Sequence, residues 1–234
     1  VIRQLHKNLV FSNLRPEVFT SEYAPKPATH FLPDWYKKIE THFPIDKPKN
    51  SKTVQSIKKC IPVFDAITAG YIITTSCDIS VEIIDGEPTF HPSLTGVEII
   101  TKHIRKQAYA HPLANEFNFP KFTNYWSVST PSGYSCLFIP PLHNPNPYFT
   151  ALPGIVDTDT YNGNVNFPFV LTNPHKDVII PAGTPIVQVI PFKRDKWQSS
   201  YQEHLGLGGN WFSRVTYNFF GSYKNKYWVR KEFK

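Results

Sequence analysis

The 234-residue sequence has no methionine, three cysteines and only 11 glycines, and charged residues make up just 18% of it. The missing methionine leads us to expect that the natural chain starts upstream of Val1. Cys60, Cys77 and Cys136 are odd in number and far apart. That pattern excludes a disulfide framework and a zinc spacing, and implies reduced, mostly buried thiols. No apolar run approaches the ~20 residues of a membrane-spanning helix. The stretch Val1-Ile-Arg-Gln-Leu-His6 lacks the layout of a secretory signal, so we expect a protein neither secreted nor membrane-bound. The chain has no Gly-x-Ser-x-Gly, P-loop or dinucleotide-binding fingerprint, and no repeat at a solenoid or propeller period.

What is present points to a real core. Hydrophobic residues reach 41% and aromatics 15%, which argues against disorder over the whole length. The 22 prolines favour many short elements joined by sharp turns over long helices. The net charge is +7, with the surplus near the ends: Lys47, Lys49, Lys52, Lys58 and Lys59, then Lys224, Lys226, Arg230, Lys231 and Lys234. A basic surface favours an anionic partner such as nucleic acid. Solvated lysines that keep a protein in solution are the ordinary alternative, and no nucleic-acid motif accompanies the charge.

Along the chain we expect three parts: an irregular arm over 1–59, a β-domain over 60–192 and a tail over 193–234. In the arm, Pro33-Asp-Trp-Tyr-Lys-Lys-Ile39 reads as a short helix, acidic at its start and basic in its last turn. From Ile61 onward β-rich runs dominate. Gly70 to Thr75, Ile79 to Ile84, Glu87 to Phe90, Val97 to Thr101, Tyr125 to Ser129, Tyr134 to Ile139, Val165 to Leu171 and Val187 to Phe192 read as strands. Asp85-Gly86 and Pro131-Ser-Gly133 supply turns. Gly206-Leu-Gly-Gly209 is flexible by composition. Residues 211–234 are dense in aromatics, which must pack on the chain's own body, on another subunit or on a ligand.

The order of several motifs resembles the superfamily of dUTP diphosphatases and dCTP deaminases. Ala69-Gly-Tyr71 matches the first motif, with Ile72 where the family has a magnesium-supporting aspartate; Asp78 lies further along. Pro131-Ser-Gly-Tyr134 and the strand to Ile139 match the second, but Pro140-Pro-Leu-His-Asn144 replaces its Arg-Ser-Ser phosphate triplet. His143 and Asn144 are left there as weak anion ligands. Gly154-Ile-Val-Asp157, Tyr161 and Gly163 match the third with one extra residue. The resemblance implies that the aspartate activates water and the tyrosine packs on the sugar. Gly183-Thr-Pro-Ile-Val-Gln188 resembles the fourth, whose glutamine supports the pocket floor, and Phe220-Gly-Ser222 echoes the fifth. The family's members are compact β-folds, usually trimers with sites between subunits. The chain also resembles uncharacterised proteins of tailed phages, which implies host cytoplasm or virion.

Other constellations are weaker. His175-Lys-Asp177 has the spacing of an iron-binding facial triad, with His204 or another distant histidine needed as third ligand, yet Asn173-Pro174 before it marks a turn. No spacing links His103, His111 and His143. Asp157 and Asp159 have oxygens for calcium or magnesium but are also ordinary turn residues. Cys136 falls in a strand, where a thiol is inert.

We therefore expect a mainly β, dUTPase-like barrel or β-clip, assembled as a homo-oligomer, with a trimer favoured. Its expected role is non-enzymatic, either as a virion component among other virion proteins or as a binding accessory, with no cofactor. One alternative is a deoxynucleoside triphosphate hydrolase or deaminase-like enzyme with a rearranged site. There Asp157 or Asp159 would activate water, Tyr161 would hold the sugar, and His143, Asn144 and Gln188 would assist, with magnesium. Another alternative is a nucleic-acid binder that uses the basic tail.

Overall fold

The computed structural model describes residues 7–44, 53–114, 116–161, 163–201 and 223–234. The described chain is mainly β. In order it forms β1 (Val10–Asn13), β2 (Lys26–Pro27), α1 (Asp34–Lys38), β3 (His42–Pro44), β4 (Thr53–Gln55), α2 (Ile61–Thr68), β5 (Tyr71–Thr74), β6 (Ile79–Ile84), β7 (Glu87–Pro92) and β8 (Ile100–His103). Then follow β9 (Phe119–Phe122), β10 (Trp126–Ser129), β11 (Tyr134–Ile139), β12 (Phe149–Ala151), β13 (Gly154–Val156), β14 (Phe167–Leu171), β15 (Val178–Ile180) and β16 (Pro185–Lys193). Among the described residues, no helix is long and apolar enough to cross a membrane.

The strands do not close into the barrel expected from the sequence. Among the described residues they form open antiparallel sheets ordered β13-β11-β16-β5-β2, β12-β14-β9-β8 and β15-β6-β7, with the pairs β1-β10 and β3-β4. The many prolines keep the strands short, and short strands cannot extend one continuous ladder. Packing divides the chain into two units: residues 1–32, 67–194 and 233, and residues 33–66, 195–232 and 234. This division differs from the three-part expectation, because Phe19 and Ala28 of the expected arm are buried in the first unit.

The first unit is built on alternation and aromatics. Ile79 and Val81 of β6 are buried while Glu82 between the strand's later residues is exposed, so one face meets the core. Ile186 to Val189 of β16 are buried in succession, because this strand lies inside the five-stranded sheet with both faces covered. Phe122 stacks on Phe169 with ring centroids 4.2 Å apart, and Phe149 tilts against both at 4.9 and 5.3 Å. Each such ring contributes about 2–3 kcal/mol by burial, and each aromatic pair about 1 kcal/mol more.

Gly70 shows how tightly the sheet is drawn. It has φ +67°, and a Cβ there would lie 1.9 Å from the Val189 carbonyl oxygen of the neighbouring strand. Its own carbonyl accepts from Ala28 N–H at 2.9 Å, which ties the N-terminal segment to the sheet. Just before it, the β-rich reading from Ile61 gives way to helix α2. Pro62 sits in the first turn, where no intrahelical N–H is required, and Phe64 N–H bonds to the Cys60 carbonyl at 3.1 Å.

The second unit contains the expected short helix, α1, whose first turn carries Asp34 and whose last turn carries Lys37 and Lys38. Lys58 Nζ donates to the Lys37 and Ile39 carbonyls at 2.9 and 3.0 Å, satisfying oxygens the helix end leaves open. Tyr36 Oη donates to the Lys58 carbonyl at 3.2 Å. Near the C-terminus, Trp228 Nε1 and Lys231 Nζ both donate to the Asp65 carboxylate, at 2.9 and 2.6 Å. Phe233, in the first unit, meets the Tyr71 ring edge-on at 6.0 Å.

Candidate functional site

Strand register brings the acidic turn of the third motif to the start of β11. Cys136 is opposite Val156 of β13, so Asp157 falls beside Ser135. Tyr134 is opposite Lys193 of β16, so Arg194 falls beside Gly133. Gly133, at φ +83°, makes the tight turn into β11, and its carbonyl accepts from Arg194 N–H at 2.9 Å.

The side chains at this corner form a closed polar network. Arg194 Nη1 donates to Asp159 Oδ1 at 2.8 Å, and Nη2 donates to Asp159 Oδ2. Gly133 N–H donates to the same Oδ2 at 2.8 Å. The paired guanidinium, and after it the Gly133 amide, holds the Asp159 carboxyl down to about 2. Asp159 is 4% exposed at its side chain, against 62% for Asp157. Ser135 Oγ donates to Asp157 Oδ1 at 2.6 Å, and Arg194 Nη1 reaches Ser135 Oγ and the Tyr134 carbonyl at 3.0 and 2.8 Å. Beneath the turn, Thr158 is buried with its hydroxyl 2.8 Å from that of Thr130 and 3.4 Å from Cys136 Sγ.

Tyr161 folds over its own turn. Its Oη donates to the Asn164 carbonyl at 3.1 Å, and the ring lies where a Cβ on Gly163 would have to go. The carbonyl of Asp157 accepts from Thr160 and Tyr161 N–H at 3.1 and 2.9 Å, so the extra residue in this motif is absorbed in a tight turn.

The remaining predicted residues lie at the other end of β11. Ile139 is opposite Gln188, and His143 and Asn144 follow Ile139 in a turn closed by Asn144 N–H on the Pro141 carbonyl, with His143 at φ +56°. A six-residue strand spans roughly 17 Å, so one chain separates Asp157, Asp159 and Tyr161 from Gln188, His143 and Asn144. Gln188 is buried; it accepts from Leu142 N–H at 2.9 Å and donates to the Ala69 carbonyl at 2.6 Å. Both bonds pin backbone, which gives the glutamine a structural task. Ile72, at the family's aspartate position, is 3% exposed within β5. Asp78 accepts from Ala182 N–H at 2.7 Å and braces the turn after β15.

The histidine constellations do not converge. His175 N–H bonds to Asn173 Oδ1 at 3.2 Å in a turn, and its ring pairs with Glu116 at 3.3 Å, while Asp177 accepts from Ile83 N–H at 2.8 Å. His103 meets Gln107, and His111 meets the Phe119 ring. His204, Gly206 to Gly209 and Phe220 to Ser222 lie outside the described residues. Among the described residues, no three His, Cys, Asp or Glu side chains are grouped to hold a metal ion. Cys77 and Cys136 are buried, which pushes both thiols up, whereas Cys60 is exposed.

Sequence reading missed Arg194 and Ser135. The family pattern directs attention to an arginine just after the β11 strand, and only the β11–β16 register reveals one 55 residues further on.

No family model and no curated protein matches the chain. Among solved structures it is similar to phage dUTPases. A point mutant of the dUTPase from phage phi11 of S. aureus, described with a structural Mg(II) ion, aligns at TM-score 0.35 and 12% identity over 86% of this chain and 98% of that one. A mutant of the Staphylococcus bacteriophage 80alpha dUTPase with dUpNHpp aligns at TM-score 0.32 and 11% identity, over 86% and 89%. Another structure of the 80alpha enzyme aligns at TM-score 0.31 and 11% identity, over 86% and 97%.

Proposed function

We propose that the chain is a non-enzymatic, oligomeric relative of the dUTPase-like proteins, serving a phage as a virion component or a binding accessory. The observation that carries this reading is the state of Asp159. Both its oxygens accept from Arg194 or Gly133, so the carboxylate is already neutralised by its own chain. A magnesium ion at this turn would have to displace the guanidinium, and the buried Ile72 offers no oxygen in its place. The donor set therefore does not fit a catalytic cation. Phosphoanhydride cleavage needs its developing charge neutralised by metal and donors, and here those groups are paired or apolar.

The split of motif residues between the two ends of β11 favours an oligomer. Within one chain the two groups stay apart, and only a second copy could set them side by side, as the resemblance to trimeric proteins implies. Solution mass measurement is expected to return a multiple of the chain mass, with a trimer favoured.

The test of the enzymatic question is incubation with each deoxynucleoside triphosphate and magnesium, monitored for diphosphate and ammonia release. We expect neither. Turnover at an enzyme's usual rates would overturn the proposal. It would favour the second reading, in which Asp157, exposed and bonded to Ser135, activates water while Tyr161 lies beside it.

A further inference from the structure

The charge of this protein belongs to one unit. Of the 25 Lys and Arg and 18 Asp and Glu in the sequence, the stretches of the first unit hold 11 of each, leaving 14 cations and 7 anions in the second. The whole net charge of +7 thus falls in the smaller unit.

That unit also displays aromatic rings among the cations. Tyr223–Tyr227 forms a single π turn, Tyr-Lys-Asn-Lys-Tyr, closed by Trp228 N–H on the Tyr223 carbonyl at 2.9 Å. The segment is held from beneath: Trp228 Nε1 and Lys231 Nζ both bond to Asp65, whose side chain is 17% exposed. The anchor satisfies the Asp65 carboxylate and leaves Tyr223, Lys224, Lys226, Tyr227 and Arg230 at the surface, Tyr227 being 60% exposed. Glu232 sits at the edge, 3.8 Å from Arg230 and 3.3 Å from Lys234, and only partly offsets the charge.

We infer that this anchored Tyr-Lys-Asn-Lys-Tyr turn, with Arg230, is a binding surface for single-stranded nucleic acid. The lysines and arginine suit the phosphate backbone, and the two tyrosine rings offer faces on which unstacked bases lie. An acidic protein would use the cations but has no need of the rings. An anionic membrane would bury them, yet each ring is interleaved with lysines on a turn that lacks an apolar face. Duplex DNA hides its bases from such rings. The surface is independent of the Asp159 corner, so it stands or falls apart from the question of catalysis.

The experiment measures the binding of a labelled oligothymidylate to the full chain by fluorescence anisotropy across a salt series. We expect affinity that falls steeply with salt. Lys224→Ala with Lys226→Ala should reduce the slope of log affinity against log salt by about 1.4, at ~0.7 per lost contact to a single strand. Tyr227→Ala should weaken binding about tenfold with the slope unchanged, the signature of a lost stacking platform. Absence of binding at low salt would overturn the inference. So would equal affinity for duplex DNA, polyglutamate or phosphatidylserine vesicles combined with indifference to Tyr227→Ala, which would mark a generic polyanion or membrane surface.

Discussion

The two units of this molecule use their polar chemistry in opposite directions. In the first, cations and anions are equal in number, and the groups at the most acidic turn bond to one another. Asp159 takes Arg194, Asp157 takes Ser135, Gln188 takes two backbone groups and Asp78 braces a turn. In the second, the cations outnumber the anions two to one and the rings of Tyr223 and Tyr227 face solvent. The contrast shows an acidic turn whose carboxylates are taken up by an arginine and a serine that strand register brings to it. It also separates a unit of balanced charge from one that carries a surplus of cations.

The largest expected effect tests the inward side. Gly70→Ala places a methyl 1.9 Å from the Val189 carbonyl and forces an L side chain to φ +67°. Backbone strain and overpacking of this kind together cost about 3 kcal/mol, a large share of the roughly 5–15 kcal/mol that holds a domain folded. Urea unfolding followed by tryptophan fluorescence should show a strongly lowered midpoint. An unchanged midpoint would mean that β5 and β16 can separate, and that the first unit is not the tightly drawn body its burial indicates.

Much of this body was readable before the structure. The β-branched runs and the Asp85-Gly86 turn located β5, β6, β7, β11 and β16 to within a few residues, because alternation and turn chemistry are local signals. Pro33 and Asp34 located α1 for the same reason. Helix α2 was hidden because Ile61, Val63, Phe64 and Ile67 are also strand formers, and tertiary packing decided between the two. The candidate site was half legible. Asp157, Asp159 and Tyr161 announced their turn, but Arg194 meets them only through strand pairing 35 and 37 residues away. No periodicity carries that information. The family pattern also placed Gln188 and Asp157 in one pocket, whereas a single chain sets them at opposite ends of β11.

A smaller effect, confined to acid, tests whether the Arg194–Asp159 pair contributes to folding. The folded-state carboxyl of Asp159 sits at about 2, below its ordinary 3.8. The native state therefore holds fewer protons than the unfolded chain between these values. Its contribution is complete above the ordinary carboxylate range and is lost as pH falls toward about 2. Asp159→Asn should be less stable than the parent at neutral pH, with the two converging as pH drops through that window. A stability difference that stays constant with pH would show that the pair does not couple to folding, and the picture of a self-neutralised turn would lose its energetic support.

The smallest expected effect is the sharpest test of the contrast between the units. Tyr227→Ala removes a ring that is 60% exposed from a turn anchored through Trp228 and Lys231. Surface changes of this kind shift stability by no more than about 0.5 kcal/mol. The thermal midpoint should therefore stay in place while oligonucleotide binding weakens. If Tyr227→Ala instead lowers the midpoint by many degrees, the ring is part of a packed interior or of an interface between copies. The second unit would then turn its aromatics inward like the first, and its surplus of lysines alone would be too weak a reason to assign it a nucleic-acid partner.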